Sequence, residues 1–337
     1  MSEVCCEGSP HQSYVVFSWF KKSELMPRVS VVIPTFNCAA FLERALGSAL
    51  AQTYKDFEVI VVDDGSTDGT KEVVGRFEGQ VAYYYQQNQG LSAARNVTLS
   101  KANGELFAYL DADDMWSPQK LEKQVAFLDA HPKCGFVHSD VAVMDDDDRF
   151  LYRSFNRETG REVPQGACVK DLLRRCHVQI LSVLERRECT ANVGGFDERL
   201  LVAQDYFRWI MIVSYGWQVG YVEEPLAMYR WRKGSLLSNP RRLVEDEERI
   251  CRILLGDQEF RARVGEEAAM ILSSRFYAIA KELAYLDRKG GRNQSARGRI
   301  AELIKEWPVK TELYVDYLKS CLPLAFVTKR DGRLREK

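Results

Sequence analysis

The chain has 337 residues, of which 46% are hydrophobic, and its formal net charge is −1. A globular protein of this size can form one large or two modest domains with well-packed cores. The near-neutral charge and the lack of a nucleic-acid-binding motif in the sequence argue against nucleic acid as a partner.

Cysteines, histidines and apolar runs narrow the class further. The nine cysteines are odd in number and show no CxxC spacing, which favours free thiols in a reducing compartment. The four histidines form no i, i+4 pair, so a zinc site is not expected. No apolar run approaches the roughly 18–20 residues that span a bilayer. We treat residues 1–26 as an extension, disordered or a misassigned start, because Met26 directly precedes the first strand pattern.

From residue 28, strand and helix patterns alternate. Short β-rich runs are predicted at 29–33, 59–63, 81–85 and 106–110. Pro34 is expected to end the first strand and Asn37 to cap the helix after it. Ser66 or Thr67 is expected to start the second helix, and Gly90 to precede the third. This alternation predicts an α/β fold with a doubly wound, mostly parallel sheet.

The pattern changes after the fourth strand. Ser117 and Pro118 predict a helix start. Segments 136–144 and 150–153 predict a hairpin around the acidic run 145–148, which we interpret as a solvated turn rather than a cation site. After about residue 240 helical periodicity dominates, notably at 268–286 and 296–307, which predicts a C-terminal helical region.

Acidic residues follow two of the predicted strands. Asp63 and Asp64 end the second strand, and Asp111, Asp113 and Asp114 follow the fourth. Ligands of open α/β sheets bind at the carboxyl ends of the strands. Gathering like charges there is costly unless a cation or ligand donors offset the repulsion. Ligands that are all oxygen favour Mg²⁺ or Mn²⁺ over Zn²⁺, so we predict a metal and nucleotide site.

The ordered set of motifs resembles family 2 glycosyltransferases with the GT-A nucleotide-sugar-binding fold. It comprises VSVVIPTFN, QTYKDFEVIVVDDGSTDGT, NQGLSAARN, GELFAYLDADDMWSPQKLE, GGFDE, AQDYFRW and EEPLAMYRWRKGSLLS. The resemblance implies a GT-A domain at 27–238, with a nucleotide-binding half at 27–115 and an acceptor half at 116–238. Residues 239–337 then form the C-terminal helical region, and 1–26 the N-terminal extension.

The resemblance implies roles for the acidic motif and the first strand. Asp113 would coordinate the divalent cation that neutralises the donor diphosphate, and Asp111 would assist the metal or bind the ribose. Asp64 would accept a hydrogen bond from the nucleobase. The strand end at Pro34, Thr35 and Asn37 would close the other side of the base, although helix capping explains Asp63, Ser66 and Asp68 equally well.

Three further residues complete the implied site. Asp205 matches the family's catalytic base, which removes the proton of the acceptor hydroxyl, with a helix N-cap as its structural alternative. Gln204 stands where the family has Glu, and we expect the loss of that charge to ease ionisation of Asp205. Arg95 would meet the nucleotide, unless it is an ordinary surface arginine. Arg232 stands where the family often has histidine; it cannot ligate metal but can clamp phosphate.

The sequence leads to one main interpretation. It is an inverting transferase that moves a sugar from a nucleoside diphosphate sugar, by preference a UDP-sugar, to a saccharide or lipid-linked saccharide in envelope glycan synthesis. We expect a cytoplasmic protein, with peripheral contact at the inner membrane face as an open alternative for the apolar and basic segment 321–337. A nucleotidyltransferase that makes sugar nucleotides and a non-catalytic nucleotide-sugar-binding protein are the competing hypotheses.

Overall fold

The structure is a computed structural model. It describes residues 4–5, 15–17, 26–175, 178–232, 239–308 and 310–320. The chain divides into two compact units, residues 1–235 and 236–337. The first unit is an α/β layer structure, and the second consists of helices.

The first unit is built around one mixed sheet. Its strands are β1 (Val4–Cys5), β2 (Val15–Phe17), β3 (Val29–Thr35), β4 (Phe57–Asp63), β5 (Ala82–Tyr85), β6 (Leu106–Tyr109), β7 (Met115–Trp116), β8 (Cys134–Met144), β9 (Phe150–Tyr152), β10 (Leu184–Arg186) and β11 (Gln218–Arg230). Their order is β1-β2-β5-β4-β3-β6-β10-β8-β11-β7, and β9 pairs with β8. Parallel pairings join β5, β4, β3 and β6, and also β8 and β11.

Helices cover this sheet. They are α1 (Ala39–Leu50), α2 (Thr70–Gly75), α3 (Leu91–Lys101), α4 (Lys120–Ala130), α5 (Phe155–Thr159), α6 (Val169–Arg174), α7 (Glu188–Val193) and α8 (Gln204–Ser214). Every residue of β3 is buried, as expected for a strand with helices on both faces. The predicted α/β fold and its mostly parallel sheet are confirmed, and the predicted hairpin is the antiparallel pair β8 and β9.

The prediction that Pro34 ends the first strand is wrong. Strand β3 continues to Thr35, and Pro34 is paired with Val62 of β4. On its other side the pairing with β6 reaches only Val32. Proline is tolerated here because it lies beyond the end of one neighbouring ladder, where no partner requires its missing N–H.

The predicted helix starts were also wrong by a few residues. Asn37 does not cap α1; the carboxylate of Asp68 accepts a hydrogen bond from Ala39 N at 3.0 Å instead. The same carboxylate accepts from Thr70 N at 3.0 Å, so α2 starts at Thr70 rather than at Ser66 or Thr67. One aspartate therefore satisfies donors at two helix starts, which a search for one cap per helix misses. Helix α4 likewise starts later than predicted, at Lys120.

The second unit consists of helices that follow one another along the chain. The helices are α9 (Pro240–Gly256), α10 (Gln258–Val264), α11 (Glu266–Lys289), α12 (Asn293–Glu306) and α13 (Thr311–Ser320). The two long helices predicted from periodicity are confirmed as α11 and α12. Asn239 caps α9 by accepting from Arg241 N at 3.2 Å, with Pro240 in the first turn.

Polar groups also cross-link this second unit. The carboxylate of Asp287 in α11 is fully buried and accepts hydrogen bonds from Arg241, Arg292, Ser295 and Arg299. Burial opposes its ionisation, but these donors outweigh that effect and lower the pKa of Asp287 to about 2. A single carboxylate thus joins α9, α11 and α12.

The N-terminal extension contributes to the sheet. Val15–Phe17 pairs with β5, and Val4–Cys5 pairs with β2, so two short strands of the N-terminal extension add to the edge of the sheet. The segment 321–337, with its apolar and basic residues, lies outside the described residues. Among the residues that are described, no helix is both long and apolar enough to cross a membrane.

The Asp287 network gives a stability prediction. An Asp287→Asn substitution should lower the free energy of unfolding by about 2–4 kcal/mol at pH 6, because arginines lose their buried counter-charge. Since the folded pKa lies below the usual 3.8, the charge of Asp287 stabilises the fold above that pH and loses its effect as the pH falls towards about 2. Urea unfolding of both proteins between pH 6 and pH 3 should therefore show a shrinking difference.

The control for this prediction is Asp316→Asn in α13. Asp316 is about one-third exposed and makes only a 3.8 Å ion pair with Lys281. Its loss should change the unfolding free energy by less than about 1 kcal/mol. Equal effects of the two substitutions would contradict the role assigned to Asp287.

Candidate active site

The polar residues predicted from sequence gather at the carboxyl ends of β3, β4 and β6. Thr35 ends β3, Asp63 ends β4, and Asp111 comes two residues after β6. Because these strands are parallel neighbours, their carboxyl ends meet at one edge. The geometry therefore forms the kind of crevice in which α/β sheets bind ligands.

Both outer aspartates of the Asp-Ala-Asp motif are paired with arginines. Arg95 Nη2 of α3 lies 2.6 Å from Asp111 Oδ1, and Arg232 Nε lies 2.6 Å from Asp113 Oδ2. Arg95 is only 2% exposed, so it is not the surface arginine that we had weighed as an alternative. The structure thus brings four predicted site residues, Asp111, Asp113, Arg95 and Arg232, into two adjoining ion pairs.

Arg230 fixes the backbone that carries Asp113. Its Nε donates to Asp113 O at 2.9 Å, its Nη1 donates to Asp145 O at 2.8 Å, and its Nη2 pairs with the Asp148 carboxylate at 2.5 Å. Its own backbone N–H donates to the Asp114 carboxylate at 2.8 Å. One buried arginine therefore connects the metal-motif loop to the acidic turn, where Asp148 also pairs with Arg44.

The third aspartate of the motif is buried beneath the other two. Asp114 is 2% exposed, and burial together with the charges of Asp113 and Asp111 raises its pKa well above the usual value. Its contact with Arg230 N makes it a structural part of the loop. The outer pair, Asp111 and Asp113, keeps partial exposure and is the pair available to a ligand.

Asp64 organises the loop that precedes α3. Its Oδ1 accepts from Gln86 Nε2 at 2.6 Å and from Gln89 N at 2.9 Å, and its Oδ2 accepts from Gly90 N at 2.8 Å. Oδ2 retains capacity for one more donor, as a carboxylate oxygen has two acceptor positions. Asp63 points instead to Tyr83 Oη and Ser66 N, so its role is structural.

The loop after β3 interlocks with the loop after β4. Asn37 has a φ of 49° and accepts from Thr67 N at 2.8 Å, while its own N–H donates to Ser66 Oγ at 2.8 Å. Asparagine tolerates this left-handed backbone better than most residues. Pro34 and Thr35 are buried at the same strand end, and Thr35 Oγ1 has no partner among the described residues.

The predicted base lies in the first turn of α8. Burial raises the pKa of Asp205 to about 6; the positive charge of Arg95 and the N–H of Tyr206 lower it, while Asp111 raises it. These influences mean that Asp205 lies close to the Arg95–Asp111 pair. The helix N-cap is Ala203, and the Asp205 carboxylate in the first turn accepts a hydrogen bond from Tyr206 N at 2.7 Å, so it also satisfies an N-terminal donor of α8. Beside it, Gln204 is 1% exposed, and its Oε1 has no partner among the described residues.

The loop before α8 is held against α3. Asn96 Oδ1 accepts from Phe196 N at 2.7 Å, and Asn96 Nδ2 donates to Phe196 O at 2.9 Å. A Cβ on Gly195 would lie 2.4 Å from Asn96 Oδ1, so glycine is required for this approach. Asn96 therefore positions the wall of the crevice.

Helix α8 has a second anchor. Tyr206, which directly follows Asp205, donates its hydroxyl to the carbonyl of Leu172 in α6 at 2.7 Å. Helix α8 is thereby tied to the segment between β9 and β10.

Sequence reasoning missed a buried ion pair next to the site. Arg208 of α8 binds Glu185 of β10 through Nε at 2.8 Å and Nη2 at 2.6 Å, and Tyr109 Oη donates to the same carboxylate at 2.9 Å. Arg208 Nη1 also donates to Gly194 O at 2.7 Å. The available signal was an arginine beside Trp209 in an otherwise apolar helix, but nothing in the sequence identified Glu185.

The donor set fits a cation that is shared with a ligand. Within the described ranges, no group of three or more His, Cys, Asp or Glu forms a protein-only metal cage. Mg²⁺ and related ions are commonly held by one or two carboxylates together with substrate phosphates. Asp111 and Asp113 supply two such carboxylates, and each has a second oxygen that its arginine does not bind.

Parallel strands that end at an acidic, arginine-paired crevice define an α/β protein of the ligand-binding type. The family model "Glycosyl transferase family 2" matches residues 30–177. TuaG of Bacillus subtilis, named for teichuronic acid biosynthesis, is 31% identical over 221 residues, which cover 63% of this chain and 82% of TuaG. The chain belongs to glycosyltransferase family 2.

Two other relatives extend the comparison. WfaP of Escherichia coli is 29% identical over 64% of this chain and 81% of its own length, and its name describes a UDP-Glc:α-D-GlcNAc-diphosphoundecaprenol β-1,3-glucosyltransferase. A glycosyltransferase of Rickettsia typhi is 32% identical, and the match covers 56% of this chain and 59% of that protein. Both relatives therefore also contain residues outside the region that matches this chain.

Solved structures agree on the fold. Staphylococcus aureus TarS 1–349 superposes with a TM-score of 0.60 at 18% identity and covers 87% of this chain and 88% of its own. The mannosyltransferase PcManGT of Pyrobaculum calidifontis, solved with GDP-Man and Mn²⁺, superposes with a TM-score of 0.58 at 21% identity and covers 90% of each chain. The predicted family and the predicted GT-A fold are therefore confirmed.

Proposed function

We propose that the protein is an inverting glycosyltransferase that uses a nucleoside diphosphate sugar, by preference a UDP-sugar, and a divalent cation. The observation that carries this proposal is the convergence of Asp111, Asp113, Arg95, Arg232 and Asp205 at one sheet edge. TarS was also solved with UDP and with UDP-GlcNAc, which supports the donor class.

On the donor side, the proposed roles follow charge and geometry. Asp113, with Asp111, would hold Mg²⁺ or Mn²⁺, which stabilises the departing diphosphate when bound. Asp64 Oδ2 would accept the remaining donor from the base, while Pro34, Thr35 and Asn37 line the other side. Arg95, fixed under the motif, would orient Asp111, and Arg232 would reach the phosphates with its planar fork of donors.

On the acceptor side, Asp205 would take the proton of the attacking hydroxyl. A pKa of about 6 leaves it largely ionised at neutral pH and still basic enough to accept a proton. The oxygen attacks the anomeric carbon as the bond to the diphosphate breaks, and an α-linked donor gives a β-linked product. No covalent sugar–enzyme intermediate is required.

The acceptor that we propose is a saccharide or lipid-linked saccharide of the cell envelope. The names of TuaG and WfaP support this class. We further propose action at the cytoplasmic face, where nucleotide sugars and lipid-linked saccharides can meet, with residues 27–238 as the catalytic domain and 239–337 as a helical appendage. The nucleotidyltransferase alternative receives no support, because Phe36–Cys38, which follow β3, include neither glycine nor lysine.

The donor site is tested by thermal unfolding with UDP, GDP, dTDP, CMP and ATP, each with and without Mn²⁺. One diphosphate should stabilise the wild type in the presence of Mn²⁺, by about 2.7 kcal/mol at a concentration 100 times its dissociation constant. Asp113→Ala should lose this effect. Asp147→Ala, which removes an exposed carboxylate of the same unit, should retain it. Stabilisation that survives without both metal and Asp113 would contradict the proposed site.

The base is tested by Asp205→Asn, which preserves shape but cannot accept the proton. We expect kcat for transfer to fall about 10²- to 10⁴-fold while the donor dissociation constant with Mn²⁺ stays nearly unchanged. Asp171→Asn, an exposed aspartate that pairs only with Arg174, is the matched control and should transfer normally. Normal turnover by Asp205→Asn would remove Asp205 from the mechanism.

The pH dependence follows from the same side chain. Because burial raises the pKa of Asp205 to about 6 and the base must be ionised, kcat/KM should rise with pH through about 6. Below that value it should fall about tenfold per pH unit. Gln204→Glu adds a like charge beside the base and should move the inflection to higher pH. A profile that is flat from pH 5 to pH 7 would be inconsistent with this base.

A further inference from the structure

Both carboxylates that would hold the cation are paired with arginines. Arg95 pairs with Asp111 and Arg232 with Asp113, each at 2.6 Å. The two pairs differ in freedom. The Arg95 side chain is 2% exposed, whereas the Arg232 side chain is 29% exposed and that of Asp113 20%. The outer pair can therefore open without exposing a buried charge.

The surroundings of Arg232 stabilise its charge even when it leaves Asp113. Its guanidinium lies 5.6 Å from the centre of the Phe41 ring, a distance at which cation–π attraction operates. Arg232 thus has a second favourable contact besides Asp113, and its guanidinium, at 29% exposure, remains accessible to water when it moves.

A guanidinium and a divalent cation compete for Asp113. Two cations on one carboxylate repel each other, so a metal ion that binds Asp113 gains less while Arg232 remains there. A diphosphate changes this balance, because its oxygens offer the guanidinium a second anionic partner with matching fork geometry. The exchange partner of Arg232 therefore arrives with the nucleotide.

We propose that Arg232 is a built-in competitor of the metal ion, which leaves Asp113 for the diphosphate when the donor binds. Cation and nucleotide binding are thereby coupled: each is weak alone, and each raises the affinity of the other by the same factor. The inference rests on the proposed donor site and adds to it an assignment of Arg232 in the free chain. A histidine at this position would not compete in this way, since neutral imidazole can itself ligate the metal.

The test measures Mn²⁺ binding to the full chain by electron paramagnetic resonance, without nucleotide and with saturating UDP. Arg232→Gln should bind Mn²⁺ without UDP at least about fivefold more tightly than the wild type, since even a modest ion pair of about 1 kcal/mol no longer opposes the metal. The ratio of the two Mn²⁺ dissociation constants, without and with UDP, should be several-fold smaller than in the wild type.

Arg76→Gln is the matched control. It removes the same charge from the same unit, but its guanidinium pairs with the exposed carboxylate of Glu43 at 2.7 Å. It should leave both dissociation constants at their wild-type values. Arg232→Lys keeps a positive charge without the fork, and its coupling ratio should lie between those of the wild type and Arg232→Gln.

The outcomes separate the inference from the proposed function. Unchanged Mn²⁺ affinity without UDP in Arg232→Gln, an unchanged coupling ratio, or an equal effect of Arg76→Gln would overturn the competitor role. If Arg232→Gln does not fold, as judged by circular dichroism, an unaltered ratio in Arg232→Lys overturns it as well. If the wild type in the presence of UDP binds Mn²⁺ no more tightly than Asp113→Ala, the donor site itself is rejected.

Discussion

The site depends on how the protein offsets the repulsion among three aspartates that lie within five residues after β6. Each receives a different arginine contact: Asp111 from Arg95, Asp113 from Arg232, and Asp114 from the backbone of Arg230. Two of these arginines come from the far end of β11, which pairs with β8. The contacts that stabilise the acidic loop therefore include residues at the end of β11, whose position depends on the pairing of β11 with β8.

This dependence explains which features could be predicted from sequence. The alternation of strands and helices in the parallel half, the edge at which the acidic residues meet and the helical second unit follow from local periodicity and from the rule for α/β crevices. Asp113 and Asp205 could be singled out because a family motif carries them. Their roles remain predictions, while the ion pair of Asp113 with Arg232 is an observation of the structure.

Long-range polar contacts could not be predicted in the same way. Asp68 and Ala39 lie 29 positions apart, and Asn96 and Phe196 lie 100 positions apart. The Glu185–Arg208 pair joins two elements that carry no motif. A hydrogen bond is set by side-chain geometry after packing, and no sequence period encodes it. Asp64 is an example. Three donors from the protein bind its carboxylate, and the sequence does not show how the loop that carries them folds.

The bond between Tyr206 and the Leu172 carbonyl has a consequence for protein engineering. Segment 140–190 lies within the acceptor half that the family resemblance implies, and α6 within it supports the helix that carries Asp205. A graft that replaces the whole segment would alter the contact that supports the helix of Asp205 together with the acceptor surface. Chimeras that retain Val169–Arg174 and exchange the flanking stretches keep that contact. They therefore separate changes in selectivity from losses of turnover.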